Sequence, residues 1–408
     1  MKPLRTVLLF ASVAAVLHPA AADTGAVVNA INALGLDLYR TQPDGDANLL
    51  FSPYLIQNGL AMVYAGADGD THTEMRDVLH YPRDEAALHA GFAELAKELA
   101  QITKDTSAEL HLANQLFVQR GYKCRAPFLS LLKDNYDVQP EQLDFAHAPE
   151  DARAAINQWT EDNTKGKIRD LVPPNSLRKW TRLALANAIY LRAYWANPFE
   201  PEATKPAPFF VHGSESVMVP TMVQQHLYGY AYHSFRGYTA VSLPYEGDNL
   251  QFVILLPDAR NGLAALERDI TLDFLAECAK LPQRAVILYL PKFRFTSQSM
   301  LLGVQLRQLG LKTAFDEPFG SANFDRLAPR KPDDYLSLGE VFHQAFIAID
   351  EKETEAAAAD TLVLDTFGVS AKNSKPIEVR VDHPFFFAIQ HVPSGACLFL
   401  GRVTDPRE

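Results

Sequence analysis

The sequence predicts an α+β fold in a single domain, on three observations. Segments with helical spacing and segments of period 2 follow one another without strand–helix–strand regularity. Hydrophobic residues make up 48% of the 408, enough chain to bury a large core. No repeat, low-complexity stretch or linker divides residues 23–408, and Gly and Pro are spread evenly along them.

Residues 1–22 precede that domain and have the pattern of an export signal. Lys2 and Arg5 form a charged start, Thr6 to Leu17 a short apolar stretch, and Ala20, Ala21 and Ala22 a small-residue cleavage site. The apolar stretch falls short of the ~18 residues a spanning helix needs, and no Cys follows it to take a lipid anchor. The mature chain is therefore expected from about Asp23, secreted to the exterior, or to the periplasm of a Gram-negative cell. No N-x-S/T acceptor occurs, which fits a bacterial exported protein.

Val27, Ile31, Leu34 and Leu38 are spaced 4, 3 and 4 and predict a first amphipathic helix. Thr71 and Glu74 have the spacing of a capping box that opens a short helix. Leu88, Phe92, Leu95 and Leu99 predict a longer one. Leu110, Leu112, Leu116 and Val118 alternate, as a half-buried strand requires, and Arg182–Leu191 and Val286–Phe295 read as more deeply buried strands. Thr239–Tyr245 and Leu250–Leu256 form one hairpin; Phe385–His391 and Cys397–Val403 form another around Pro393, Ser394 and Gly395. Between strand-like Val341–Asp350 and Ile377–Ile389 lie 26 residues, Glu351–Pro376, a connection long enough to be functional. Its first third has high helix propensity and Asp360–Leu364 is strand-like, so the segment suits more than one conformation.

Several function classes are excluded. The net charge is −11, or about −13 once 36 basic face 49 acidic residues in the mature chain, which disfavours nucleic acid and membrane as partners. Cys124, Cys278 and Cys397 are odd in number and widely spaced, so neither a disulfide framework nor a metal site is expected. His72 and His80 lack ligand spacing, and Asp44–Asp46 and Asp68–Asp70 read as turns rather than calcium loops. His343 and His383 are isolated in apolar strands and read as core histidines. No nucleophile elbow, phosphate loop or dinucleotide fingerprint is present, so no catalytic residue, cofactor or metal is assigned.

Five motifs then stand out: Asn48 to Pro53 with the helix to Gly66; Ile156 to Trp159 through Thr164 to Ile168 and Pro173; Asn187 to Leu191 leading to Trp195 and Phe199; His383 to Phe387 with Phe399 to Val403; and His343 followed by Asp350 to Ala359. Across the whole mature chain the sequence resembles the serpins, and within them the inhibitory members. The resemblance implies three β-sheets, eight or nine helices and an exposed reactive-centre loop at about residues 351–376. A protease cuts the loop and becomes acylated. The loop then enters the central sheet as a new strand, the family's known form of strand addition, and the protease is distorted. A protein of this kind is a monomeric suicide inhibitor and not an enzyme.

Position by position, the resemblance assigns the hinge to Glu351, Lys352, Glu353, Thr354, Glu355, Ala356, Ala357, Ala358, Ala359 and Asp360. Counting seventeen positions from Glu351 places the reactive bond between Phe367 and Gly368, with Leu364 as the next choice of bait. An aromatic bait suits a chymotrypsin- or cathepsin-G-like serine protease, with a cysteine protease as a second type of target; Lys372 and Lys375 lie too far along for a trypsin-like one. Once inserted, Thr354, Ala356, Ala358, Asp360, Leu362 and Leu364 share the inward parity. Ser52, Asn187 and His343 are assigned to a hydrogen-bonded latch under the sheet, and Trp195 to the top of the sheet where the hinge enters. Two departures bear on function. The family usually has Gly at Glu353 and Thr at Asp360, and both changes favour the alternative of a non-inhibitory serpin acting as a binding or chaperone-like protein. Leu55 stands where a second serine is usual. The acidic-to-neutral helix Ala86–Ala100 offers no glycosaminoglycan site.

Overall fold

From Leu183 to Leu191 the chain carries Asn187 as its one amide among aliphatic and aromatic neighbours, so a strand built from it must be covered on both faces. All nine residues are buried. The computed structural model describes residues 22–42, 47–106, 108–211, 215–331, 334–351 and 375–407. Among these the helices are α1 (Thr24–Thr41), α2 (Pro53–Gly66), α3 (Gly69–Val78), α4 (Glu85–Asp105), α5 (Ala126–Tyr136), α6 (Pro149–Asn163), α7 (Leu263–Asp269), α8 (Leu272–Cys278) and α9 (Gly303–Gln308). The strands are β1 (Leu49–Phe51), β2 (Glu109–Gln119), β3 (Glu141–Leu143), β4 (Leu183–Arg192), β5 (Lys205–Val211), β6 (Glu215–His233), β7 (Tyr238–Pro244) and β8 (Leu250–Pro257). They continue as β9 (Gln283–Pro291), β10 (Phe293–Thr296), β11 (Met300–Leu301), β12 (Leu338–Ile349), β13 (Ile377–Arg380), β14 (Phe385–His391) and β15 (Ala396–Val403).

One sheet has the order β10-β12-β4-β2-β3, with β11 also on β12. The other runs β1-β15-β14-β8-β7-β6-β9-β13, with β5 on β6. The expected second and third sheets are continuous because β6, 19 residues long, pairs with β5 and β9 and then with β7 at its far end. The alternation of β4 serves two cores. Leu183, Leu185, Ile189 and Leu191 join the main core, whereas Ala184, Ala186, Ala188 and Tyr190 join a second one with Ile156 of α6 and Phe342 and Phe346 of β12. Small residues on that face let α6 and the segment after it lie close over the sheet.

The expected capping box at Thr71 and Glu74 is corrected. α3 starts earlier, on the side chain of Asp68, and Thr71 lies inside the first turn. Its hydroxyl accepts the N–H of Asn323 at 3.1 Å. Glu74 accepts the N–H groups of Lys312 and Thr313, both at 2.6 Å, and so caps a distant 3-10 turn instead of its own helix. An Asp one residue before the helix competes better for the free N–H groups than a Thr already in helical conformation. His383 lies between β13 and β14, not in a strand, with ring contacts to Asp382 and to the Pro257 carbonyl, both 2.7 Å.

At Gly401, on β15, a Cβ would meet the Leu49 carbonyl oxygen at 2.4 Å and the Phe387 ring at 2.6 Å. Gly401→Ala is expected to destabilise the fold by about 1–3 kcal/mol, because backbone cannot give way there. Urea unfolding of both chains checks this, and an unchanged midpoint would contradict it.

Candidate functional site

β12 runs parallel to β4, with partners from Leu338 and Leu183 through His343 and Asn187 to Phe346 and Tyr190. Their outer neighbours are antiparallel: β10 on β12 and β2 on β4. The ladder stops at Phe346 and Tyr190, although β12 continues to Ile349 and β4 to Arg192. At this open mouth the chain leaves β12. It is next described at Lys375, before β13 in the other sheet. A strand descending from Glu351 between β12 and β4 would be antiparallel to both, the arrangement with perpendicular hydrogen bonds on each side.

Three contacts fix the point of departure. The indole N–H of Trp195 donates to the Asp350 carbonyl at 2.8 Å. The backbone N–H of Phe199 donates to the Glu351 carbonyl at 3.0 Å. The Lys292 ammonium meets the Glu351 carboxylate at 2.5 Å. Burial pushes that carboxyl up, but the hydrogen bonds from Lys292, Thr204 and the backbone, with the Lys292 charge, together hold it below the usual carboxylate range. Trp195 stacks on Tyr245, centroids 4.6 Å apart, with Phe199 and Phe252 edge-on, so the indole is held in one orientation. The structure thus brings Trp195 and Glu351, both singled out from sequence, together at the mouth, with Trp195 bonded to Asp350, the residue before Glu351.

Beneath the ladder, the polar residues form two sets rather than one latch. Ser52 caps α2, its hydroxyl accepting the Leu55 N–H at 3.1 Å, and its own backbone N–H donates to Nε2 of His343 at 2.9 Å. The amide of Asn187 donates elsewhere, to Oδ1 of Asn114 at 2.6 Å. Asn114 in turn donates to the Leu55 carbonyl and to Asn58. His343 and Asn187 are register partners, yet His343 bonds directly to the N-cap of α2, whereas Asn187 bonds to Asn114 of β2, which reaches Leu55 and Asn58 of α2. Motif spacing does not single out Asn114. Its signal is parity, since it holds the inward slot between Leu112 and Leu116. Full burial of His343 keeps the imidazole neutral and its pKa down at about 3.

Other predicted residues lie outside the described ones: Lys352 to Asp360, Leu364, and the bond between Phe367 and Gly368, together with the expected export signal up to residue 21. Among the described residues no cluster of three potential metal ligands occurs, and Cys124, Cys278 and Cys397 are free thiols. His72 pairs with Glu85 and His80 with Asp37, so the two share no site. Among the described residues no helix is long and apolar enough to cross a membrane.

Comparison with known proteins adds to this geometry. A family model described as Serpin (serine protease inhibitor) matches residues 29–406. The chain is 34% identical to the leukocyte elastase inhibitor of Bos taurus over 381 residues, 92% of this chain and 97% of that protein. It is 35% identical to an uncharacterized serpin-like protein of Thermococcus kodakarensis, over 94% of this chain and 86% of that one. The crystal structure of Serpin48, a highly specific serpin of the insect Tenebrio molitor, superposes with a TM-score of 0.79 at 33% identity, covering 93% of this chain and 98% of that one.

His343 generates a pH prediction. Its folded pKa lies below the unfolded value of about 6.5, so neutrality stabilises the fold above pH 6.5 and that contribution is lost as pH falls towards 3. Stability should therefore drop by up to about 1.4 kcal/mol per pH unit through this window from this residue alone. His343→Gln, which can still accept the Ser52 N–H, is expected to flatten the slope in denaturant titrations at pH 4–7. An equal slope would show that His343 does not set the pH dependence.

Proposed function

The chain belongs to the serpin family, and we propose that it is a suicide inhibitor of chymotrypsin-like serine endopeptidases that acts outside the cytoplasm once residues 1–22 are removed. The observation that carries this reading is Glu351, anchored at the mouth of two parallel strands, where a chain turning back can pair with both. A relative named as an inhibitor of leukocyte elastase supports protease inhibition.

In this mechanism the catalytic groups belong to the target. The protease serine attacks the Phe367 carbonyl, and its proton passes through the protease histidine to the departing amine of Gly368. The peptide bond breaks and an ester joins protease to Phe367. The freed loop then descends between β4 and β12 and takes the protease with it before water can hydrolyse the ester. Some 12–15 new strand residues at about 0.5–1.5 kcal/mol per hydrogen bond give on the order of 10 kcal/mol to drive this. Asp360 opposes it, since desolvating a partly compensated carboxylate costs about 1–4 kcal/mol. Insertion therefore remains favourable but slow, and part of the ester hydrolyses first. The non-inhibitory alternative, a binding or chaperone-like protein, draws on Glu353 and Asp360. Thr354 and the four alanines after Glu355 count against it.

Mixing the mature protein with chymotrypsin at graded ratios tests the reading. An SDS-resistant complex near the summed mass is expected, with a released fragment beginning at Gly368 and more than one inhibitor consumed per protease. Cleavage without any complex would contradict it. Asp360→Thr is expected to bring the consumption closer to one; an unchanged ratio would show that Asp360 does not slow insertion.

A further inference from the structure

The mouth of the ladder carries one contact that the anchors of Glu351 do not supply. Lys167, in the segment between α6 and β4, places its ammonium 5.7 Å from the ring centroid of Tyr190 and 5.7 Å from that of Phe346. These rings belong to the last register pair of the β4–β12 ladder, and their centroids are 5.5 Å apart. The path of the segment positions the lysine. Lys165 and Gly166 make a turn with positive φ, the Lys167 N–H bonds to the Thr164 carbonyl at 3.0 Å, and buried Ile168 follows with its N–H on the Thr164 hydroxyl. Two residues earlier in the same segment, Lys165 reaches Glu109 of β2 at 2.9 Å. His111 of β2 stacks on Tyr190, with centroids 5.6 Å apart. The segment is thus tied to β2 by one lysine and lies across the β4–β12 seam by the other.

We propose that Lys167 is a positioning residue that clasps β4 to β12 at the mouth and slows entry of a new strand. The proposal rests on the strand-insertion reading above. An entering strand moves its neighbours from one strand spacing to two, a further ~4.8 Å. The space between the Tyr190 and Phe346 rings is then occupied by that strand, so the ammonium loses at least one of its two aromatic partners. The clasp costs little in the closed state, where Lys167 is exposed and stays hydrated. Its effect falls on the opening step, which comes before any bond of the new strand has formed.

Two variants separate the clasp from general stability: Lys167→Met, which keeps length and apolar reach but removes the charge, and Lys167→Arg, which keeps the cation. The first readout is hydrogen exchange at Leu191, Ile347 and Ala348 in the unreacted protein. The second is the rate of uptake of a synthetic peptide with the sequence of residues 352–365, followed by native gel. Lys167→Met is expected to speed both by about 2- to 5-fold, the ratio that follows from one exposed cation–π contact. Lys167→Arg is expected to return both to the wild-type rate. Unchanged exchange in the Met variant, or no recovery with Arg, would overturn the clasp. Exchange that responds in a protein taking up no peptide would leave the clasp standing and overturn the insertion reading instead.

Discussion

The parallel pairing of β4 with β12 is the contact on which the rest of the molecule depends. A parallel pair with antiparallel neighbours outside it can accept one more strand, running opposite to both, without reversing any strand already present. Closed, the pair has one ladder, which ends at Phe346 and Tyr190. Opened and filled, it has two. On the proposed insertion, the closed sheet would be the state with fewer hydrogen bonds, and its persistence would be a matter of rates rather than of equilibrium.

The surrounding residues read as controls on that rate. Trp195, Phe199 and Lys292 hold Asp350 and Glu351 at the mouth, so a chain turning inward on the proposed mechanism would start in place. Beneath the seam, His343 is fastened to the N-terminus of α2 and Asn187 to Asn114 on β2, so the two strands have separate moorings. Separate moorings suit the proposed parting of the strands, because each could keep its own hydrogen bond as the seam widened. Ala184, Ala186 and Ala188 give the face under α6 little side chain to displace.

Much of this is legible in the sequence where the signal is local. Period-2 runs mark β2, β4, β7, β8, β14 and β15 nearly to the residue, and spacing marks α1 and α4, because burial of one face imposes those periods. The hinge stands out because small residues and Thr succeed a run of charge. What escapes such patterns joins distant residues. The Trp195 and Lys292 contacts reach 155 and 59 residues along the chain, and no spacing rule encodes them. Asn114 is hidden by its own strand pattern, which reads as regular with an amide in an inward slot. The role of Glu74 is illegible because a three-residue spacing is shared by capping boxes and by any helix face, and only tertiary structure decides where the carboxylate goes.

The most direct test of loop insertion is the thermal unfolding of the protein before and after its loop is cut by a protease that it does not trap. If the loop enters between β4 and β12, the cut chain should melt higher by on the order of 20 °C, since a central strand has been added to the sheet. A cut chain that melts at or below the temperature of the intact one would mean that the seam stays closed and that this protein does not inhibit by strand insertion.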